Sequence, residues 1–126
     1  MATKVYHYPN CSTCRKALKW LTARGVAYDA VDIVATPPEK SELQRALASG
    51  LPLKKLFNTS GQSYREGGWG QKIGGIGEAK ALAALVADGK LIKRPFVLTD
   101  ERVLVGFDEE AYATTFARTS AGKAAS

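Results

Sequence analysis

The sequence predicts an α/β fold built on a mixed sheet of about four strands, and three observations carry that prediction. A β-prone stretch, a helical apolar stripe and a second β-prone stretch follow one another within the first 34 residues. That strand-helix-strand order places two parallel strands side by side through a right-handed crossover. Near the other end, Pro95 to Leu98 and Val103 to Val105 flank the polar stretch Thr99-Asp100-Glu101-Arg102, a connection of hairpin length that predicts an antiparallel pair. The chain has 126 residues, 45% hydrophobic and 24% charged, enough for one domain with its own core.

Each element has a local reason. Lys4 to Tyr8 carries the β-branched and aromatic residues of a strand and stops at Pro9. Cys11 to Ala23 sets Cys14, Leu18 and Leu21 on one helical stripe, and Gly25 stands where a helix stops. Ala27 to Val34 alternates through Tyr28, Val31 and Ile33 as the second strand. Thr36-Pro37-Pro38-Glu39 reads as a helix entry capped by Thr36, with Leu43, Ala46 and Leu47 as the buried stripe and Ser49-Gly50-Leu51-Pro52 as the end. Residues 53 to 66 show no firm period, and Asn58-Thr59-Ser60-Gly61 is turn chemistry. Gly67 to Gly77 holds half of the twelve glycines and reads as a loop. Ala79, Leu82, Leu85 and Val86 form a stripe over Glu78 to Asp88, closed by Gly89. Asp108-Glu109-Glu110 opens a last helix to about Phe116, its acids matched to the helix dipole. The expected organisation is a single domain over residues 1–117 and a flexible tail over 118–126.

Charge and cysteine usage narrow the function classes. The net charge is +6, which favours anionic partners, yet the cations are spread along the chain and form no dense block or nucleic-acid motif. No direct nucleic-acid binding and no membrane association are expected. Two cysteines in one motif make no disulfide framework, and no apolar run reads as a signal peptide or a span, so the expected location is the reducing cytoplasm.

The chemistry is concentrated in Cys11-Ser12-Thr13-Cys14-Arg15. A thiol at the start of a helix meets unpaired amides and the positive end of the dipole, which favour thiolate. Cys14, one turn further on, is placed to resolve a mixed disulfide. Arg15 and Lys16 oppose the dipole in the first turn, and a local rule broken in this way marks a candidate site that favours a Cys11 thiolate. His7 is the one histidine and the only further strong donor, too few ligands for zinc, so no metal is expected. It is a candidate for lowering the thiol pKa or holding an oxyanion. Arg94 could offer a planar charged fork to an anion, beside Pro95, a proline that can be cis.

The segment Val5-Tyr6-His7-Tyr8-Pro9-Asn10-Cys11-Ser12-Thr13-Cys14-Arg15-Lys16-Ala17-Leu18 resembles the active-site segment of the glutaredoxin-linked arsenate reductase/Spx family. Lys93-Arg94-Pro95-Phe96-Val97-Leu98 resembles its Arg-Pro strand, and Val103-Leu104-Val105-Gly106-Phe107 its Spx-like branch. The resemblance implies a thioredoxin-like mixed sheet with a helical insertion over about residues 36–90. It matches Cys11 to the attacking cysteine, His7 to a histidine near it, Arg94 to an anion-binding arginine and Pro95 to a cis-proline. Two further family arginines align with Asn58 and Gly106, so Asn58 is a candidate substrate contact that brings no charge. Cys14 stands where single-cysteine reductases have serine.

These matches imply a thiol-disulfide oxidoreductase cycling a Cys11/Cys14 pair, with no bound cofactor and with glutathione as reductant alongside glutaredoxin or thioredoxin. The alternative is an Spx-like redox-switched regulator that binds RNA polymerase.

Overall fold

A computed structural model describes residues 3–59, 61–100 and 102–116. Strands β1 (Lys4–His7), β2 (Asp29–Asp32), β3 (Phe96–Leu98) and β4 (Val103–Val105) form one sheet in the order β2-β1-β3-β4. The β1–β2 pair is parallel, with Tyr6 opposite Val31, and the other two pairs are antiparallel. Helix α1 (Ser12–Ala23) is the crossover between the parallel strands, and Gly25 at φ 71° follows its end. The sheet is mixed as the sequence predicts.

Strand periodicity divides the core into two layers. Val5 and its cross-strand partner Val97 face α1, where Ala17 and Leu21 meet Tyr112 and Phe116 of the helical segment 109–116. Tyr6 and its partner Phe96 point the other way, into the insertion, their rings 6.1 Å apart. There they join Leu43 and Ala46 of α2 (Lys40–Ala48) and Leu82 and Leu85 of α5 (Glu78–Ala87). Glu42 ties α2 to β1, accepting from Lys4 Nζ at 2.8 Å and from Tyr6 Oη at 2.7 Å.

The insertion departs from the sequence reading in three places. Helix α2 begins at Lys40, not at Thr36, with Glu39 as its cap and Glu42 completing a reciprocal capping box. The residue before a proline is driven out of helical backbone, so Pro37-Pro38 push the start downstream. The glycine-rich stretch is not one loop: α3 (Gln62–Glu66) precedes it and α4 (Trp69–Lys72) lies within it, with Trp69 packed 5.4 Å from the Phe57 ring. Helices of four or five residues are too short to show a period. On α5 the buried alanine is Ala81 rather than Ala79.

Gly89 directly follows the Asp88 cap of α5, at the helix end where the sequence places it. Its φ is not positive; it opens a 3-10 turn (Gly89–Leu91), and a Cβ there would overlap the carbonyl oxygen of Ile33. Close backbone approach, not turn conformation, requires glycine at 89. No helix among the described residues is long and apolar enough to cross a membrane. The tail over 118–126 lies outside the described residues.

Candidate active site

Cys11 is the N-cap of α1, with extended backbone (φ −96°, ψ 114°) and its Sγ accepting the Cys14 amide at 3.3 Å. The turn that delivers it is closed by the Cys11 amide donating to the Tyr8 carbonyl at 3.0 Å. Sulfur therefore occupies the place usually filled by a serine or aspartate oxygen, facing amides that the helix cannot satisfy itself. Both cysteines are free thiols.

The two thiols have opposite environments. Burial by itself would raise the Cys11 pKa, but hydrogen bonds from the Cys14 thiol and amide, with the Arg94 guanidinium, hold it below the ordinary thiol value. Cys14 is fully buried, and burial together with the hydrogen bond and charge of Cys11 pushes its thiol up to about 12. The surroundings thus favour the thiolate at Cys11 and the protonated thiol at Cys14.

Arg94 reaches this position through backbone pairing. Asn58 N donates to the Leu91 carbonyl at 2.7 Å and Lys93 N to the Leu56 carbonyl at 2.8 Å, so residues 91–93 run beside 56–58. The Arg94 guanidinium then lies 4.6 Å over the Tyr8 ring, a cation–π contact that steadies the charge near the sulfur. The Arg94-Pro95 bond is cis.

An open cavity of about 460 Å³ brings Cys11, Asn58, Lys93, Arg94, Gly106 and Asp108 together. A second, of about 340 Å³, shares Asn58 and Arg94 with it and extends to Lys90 and Glu66. Cys11, Arg94 and Asn58 thus converge although the first two are 83 positions apart in the chain. The other sequence candidates lie elsewhere. Arg15 is exposed, its Nη1 donating to the Pro9 carbonyl at 3.4 Å, and the cation that acts on Cys11 is Arg94. His7 is half-buried at the end of β1 opposite Asp32 and does not line the cavity. Amides of Ala35 and Val34 hold the Asp32 carboxyl below its usual range, with a smaller contribution from His7. Pro95 is buried behind the cavity wall, its carbonyl accepting the Gly106 amide at 2.9 Å.

Sequence reasoning missed Tyr112. Its hydroxyl donates to the Gly106 carbonyl at 2.8 Å in a buried setting, so both backbone groups of Gly106 are engaged and the cavity wall is held. A tyrosine on an amphipathic helix gives no hint in sequence that its hydroxyl reaches a loop six residues back.

The sequence profile of the ArsC family matches residues 6–115. The uncharacterized protein YusI of Bacillus subtilis is 44% identical over 118 residues, spanning 93% of this chain and all of YusI. An arsenate reductase of Neisseria meningitidis is 32% identical over 108 residues, 82% of this chain and 88% of its own. Among solved structures, an ArsC family related protein from Bacteroides fragilis superimposes with a TM-score of 0.86 at 43% identity, over 90% of this chain and 97% of that one. A match that runs from the first strand to the last described helix, at these identities and over nearly the full length of each relative, makes this chain a member of the ArsC family.

Proposed function

We propose that the protein is a thiol-disulfide oxidoreductase in which Cys11 attacks and Cys14 resolves. The observation that carries this reading is the Cys11 sulfur at the α1 N-cap, 3.3 Å from the Cys14 amide and beside Arg94.

The Cys11 thiolate attacks one sulfur of a disulfide substrate such as glutathione disulfide; a new S–S bond forms and the other sulfur leaves as thiolate with the bonding pair. That step removes the anion beside Cys14. Part of what raises the Cys14 pKa is the hydrogen bond and charge of Cys11, so losing them makes its proton easier to release to solvent. Cys14 then attacks the Cys11 sulfur, closing the intramolecular disulfide and releasing the second thiol. The pair has lost two electrons and the substrate has gained two. Glutathione, glutaredoxin or thioredoxin in the cytoplasm would return the dithiol by the same exchange in reverse.

Arsenate reduction, the activity named for the Neisseria relative, has a weaker basis here. Asn58 and Gly106, both on the cavity wall, bring no charge to an oxyanion. A charge-assisted contact contributes about 1.5 to 3 kcal/mol, so two missing ones weaken binding severely.

The test is to treat the reduced protein with glutathione disulfide and map the products by mass. Wild type is expected to give a monomeric Cys11–Cys14 disulfide, and Cys14→Ser a stable glutathione adduct at Cys11. A covalent dimer from wild type, or an adduct forming first on Cys14, would overturn the assignment. A protein that closes its disulfide yet turns over no disulfide substrate would favour the redox-switched regulator instead.

A further inference from the structure

Lys93 is the cavity's second cation, and the geometry around it is specific. Gly106 has φ 76°, and the position its Cβ would take lies 3.0 Å from Lys93 Cε and 4.0 Å from Lys93 Nζ. The missing side chain therefore leaves room for the lysine stem to lie across the glycine. That surface is firm, because the Gly106 amide and carbonyl are bonded to Pro95 and Tyr112. At its other end the Lys93 amide is fixed to the Leu56 carbonyl. Among the described residues the one ion pair is Lys4–Glu42, so the Lys93 ammonium has no carboxylate partner. Asp108, a carboxylate on the cavity wall, has its Oδ1 engaged by the Glu110 amide at 3.2 Å.

We propose that Lys93, with Arg94, binds the anionic substituent of a low-molecular-weight disulfide and so directs Cys11 toward carboxylate-bearing disulfides. This rests on the exchange reading above and names its substrate class. Two neighbouring residues reach one cavity from different supports, Arg94 from the Tyr8 ring and Lys93 from the Gly106 surface. A ligand presenting a carboxylate near its disulfide meets both cations while its sulfur faces Cys11. The reaction itself is unchanged: the Cys11–substrate S–S bond forms, the substrate's own S–S bond breaks, and the departing thiolate takes the pair.

The experiment compares single-turnover oxidation of the reduced protein by dithiobis(nitrobenzoate), which is anionic, hydroxyethyl disulfide, which is neutral, and cystamine, which is cationic. The proteins are wild type, Lys93→Gln and Lys93→Arg. Relative to the neutral reagent, Lys93→Gln is expected to slow the anionic one about threefold to fivefold, the size of a solvent-accessible charge pair, and to speed the cationic one. Lys93→Arg is expected to restore the anionic preference, and 0.5 M salt to erase the difference between variants. Equal slowing of all three reagents, or an unchanged anionic preference in Lys93→Gln, would overturn the proposal. Wild type that fails to react even with the neutral disulfide would overturn the exchange reading itself, a separate outcome.

Discussion

Replacing Tyr112 with phenylalanine removes one buried hydrogen bond and leaves the rest of the aromatic cluster in place. The ring is 1% exposed and sits edge-on to Phe107 at 4.8 Å and to Trp20 at 5.7 Å, contacts that phenylalanine keeps. What is lost is the 2.8 Å bond to the Gly106 carbonyl, whose acceptor is left without that donor in a buried position. A net hydrogen bond contributes about 0.5 to 1.5 kcal/mol and an unsatisfied buried group costs about 1 to 3, so the expected loss is about 1 to 2 kcal/mol. For a domain of this size that lowers Tm by about 3 to 6 °C per kcal/mol. The pH dependence has a definite sign. Burial raises the folded-state pKa of Tyr112, so its stabilising contribution is full below the ordinary tyrosine value near 10 and declines as pH rises above it. Phenylalanine cannot ionise in the unfolded chain, so the gap between the two proteins should narrow on going from pH 7 to pH 10.5. Urea denaturation followed by tryptophan fluorescence at both pH values measures this. Equal stability at pH 7, or a gap that widens in alkali, would refute the reasoning.

Arg94→Gln should move the pH profile of Cys11 alkylation upward, because the guanidinium's hydrogen bond and charge are part of what keeps that thiol below its ordinary value; an unmoved profile would remove Arg94 from the site. Glu42→Gln keeps an acceptor for Tyr6 and for the Glu39 amide and should cost about 0.5 to 1 kcal/mol, whereas Glu42→Ala loses the capping box as well and should cost about 2 to 4. The Glu42 carboxyl is partly buried, which works against ionisation, yet Lys4, the Glu39 amide and Tyr6 hold its pKa below the usual range. Its contribution is therefore full above about pH 4.3, the unfolded value, and fades as pH falls through the folded one, a slope that Glu42→Gln should lack; equal losses for Gln and Ala in denaturant titrations would refute the ranking. Gly89→Ala should cost about 1 to 3 kcal/mol through overlap with the Ile33 carbonyl, and an unchanged denaturation midpoint would show that the contact relaxes freely.

The sheet and the longer helices were legible in the sequence. The β1-α1-β2 unit and the β3–β4 hairpin follow from strand alternation and the α1 stripe, and the thiol follows from its place between a strand and a helix. The insertion was harder, since Pro37-Pro38 hid the Glu39 cap and α3 and α4 are shorter than two turns. In the site, nearness in sequence was a poor guide. Arg15 is four residues from Cys11 and turns outward, whereas Arg94 reaches the sulfur because residues 91–93 pair with 56–58. That pairing involves an isolated bridge between Phe57 and Ile92, which no local period announces. Lys93 could be seen beside Arg94, but its path over Gly106 depends on the absent Cβ.

The contact between Gly89 and Ile33 joins the two ends of the insertion, since the chain leaves the sheet just after Ile33 and heads back toward it at Gly89. A segment whose entry and exit touch can accept changes of length at its exposed loop tips without separating the strands that bear it. The sheet half keeps Cys11, Cys14 and Arg94, while the insertion carries Asn58 and the Lys90–Glu66 side of the neighbouring cavity. Changes within the insertion can therefore reshape the Asn58 and Lys90–Glu66 side of the two cavities, while Lys93 and Arg94 stay on the stretch that leads into β3.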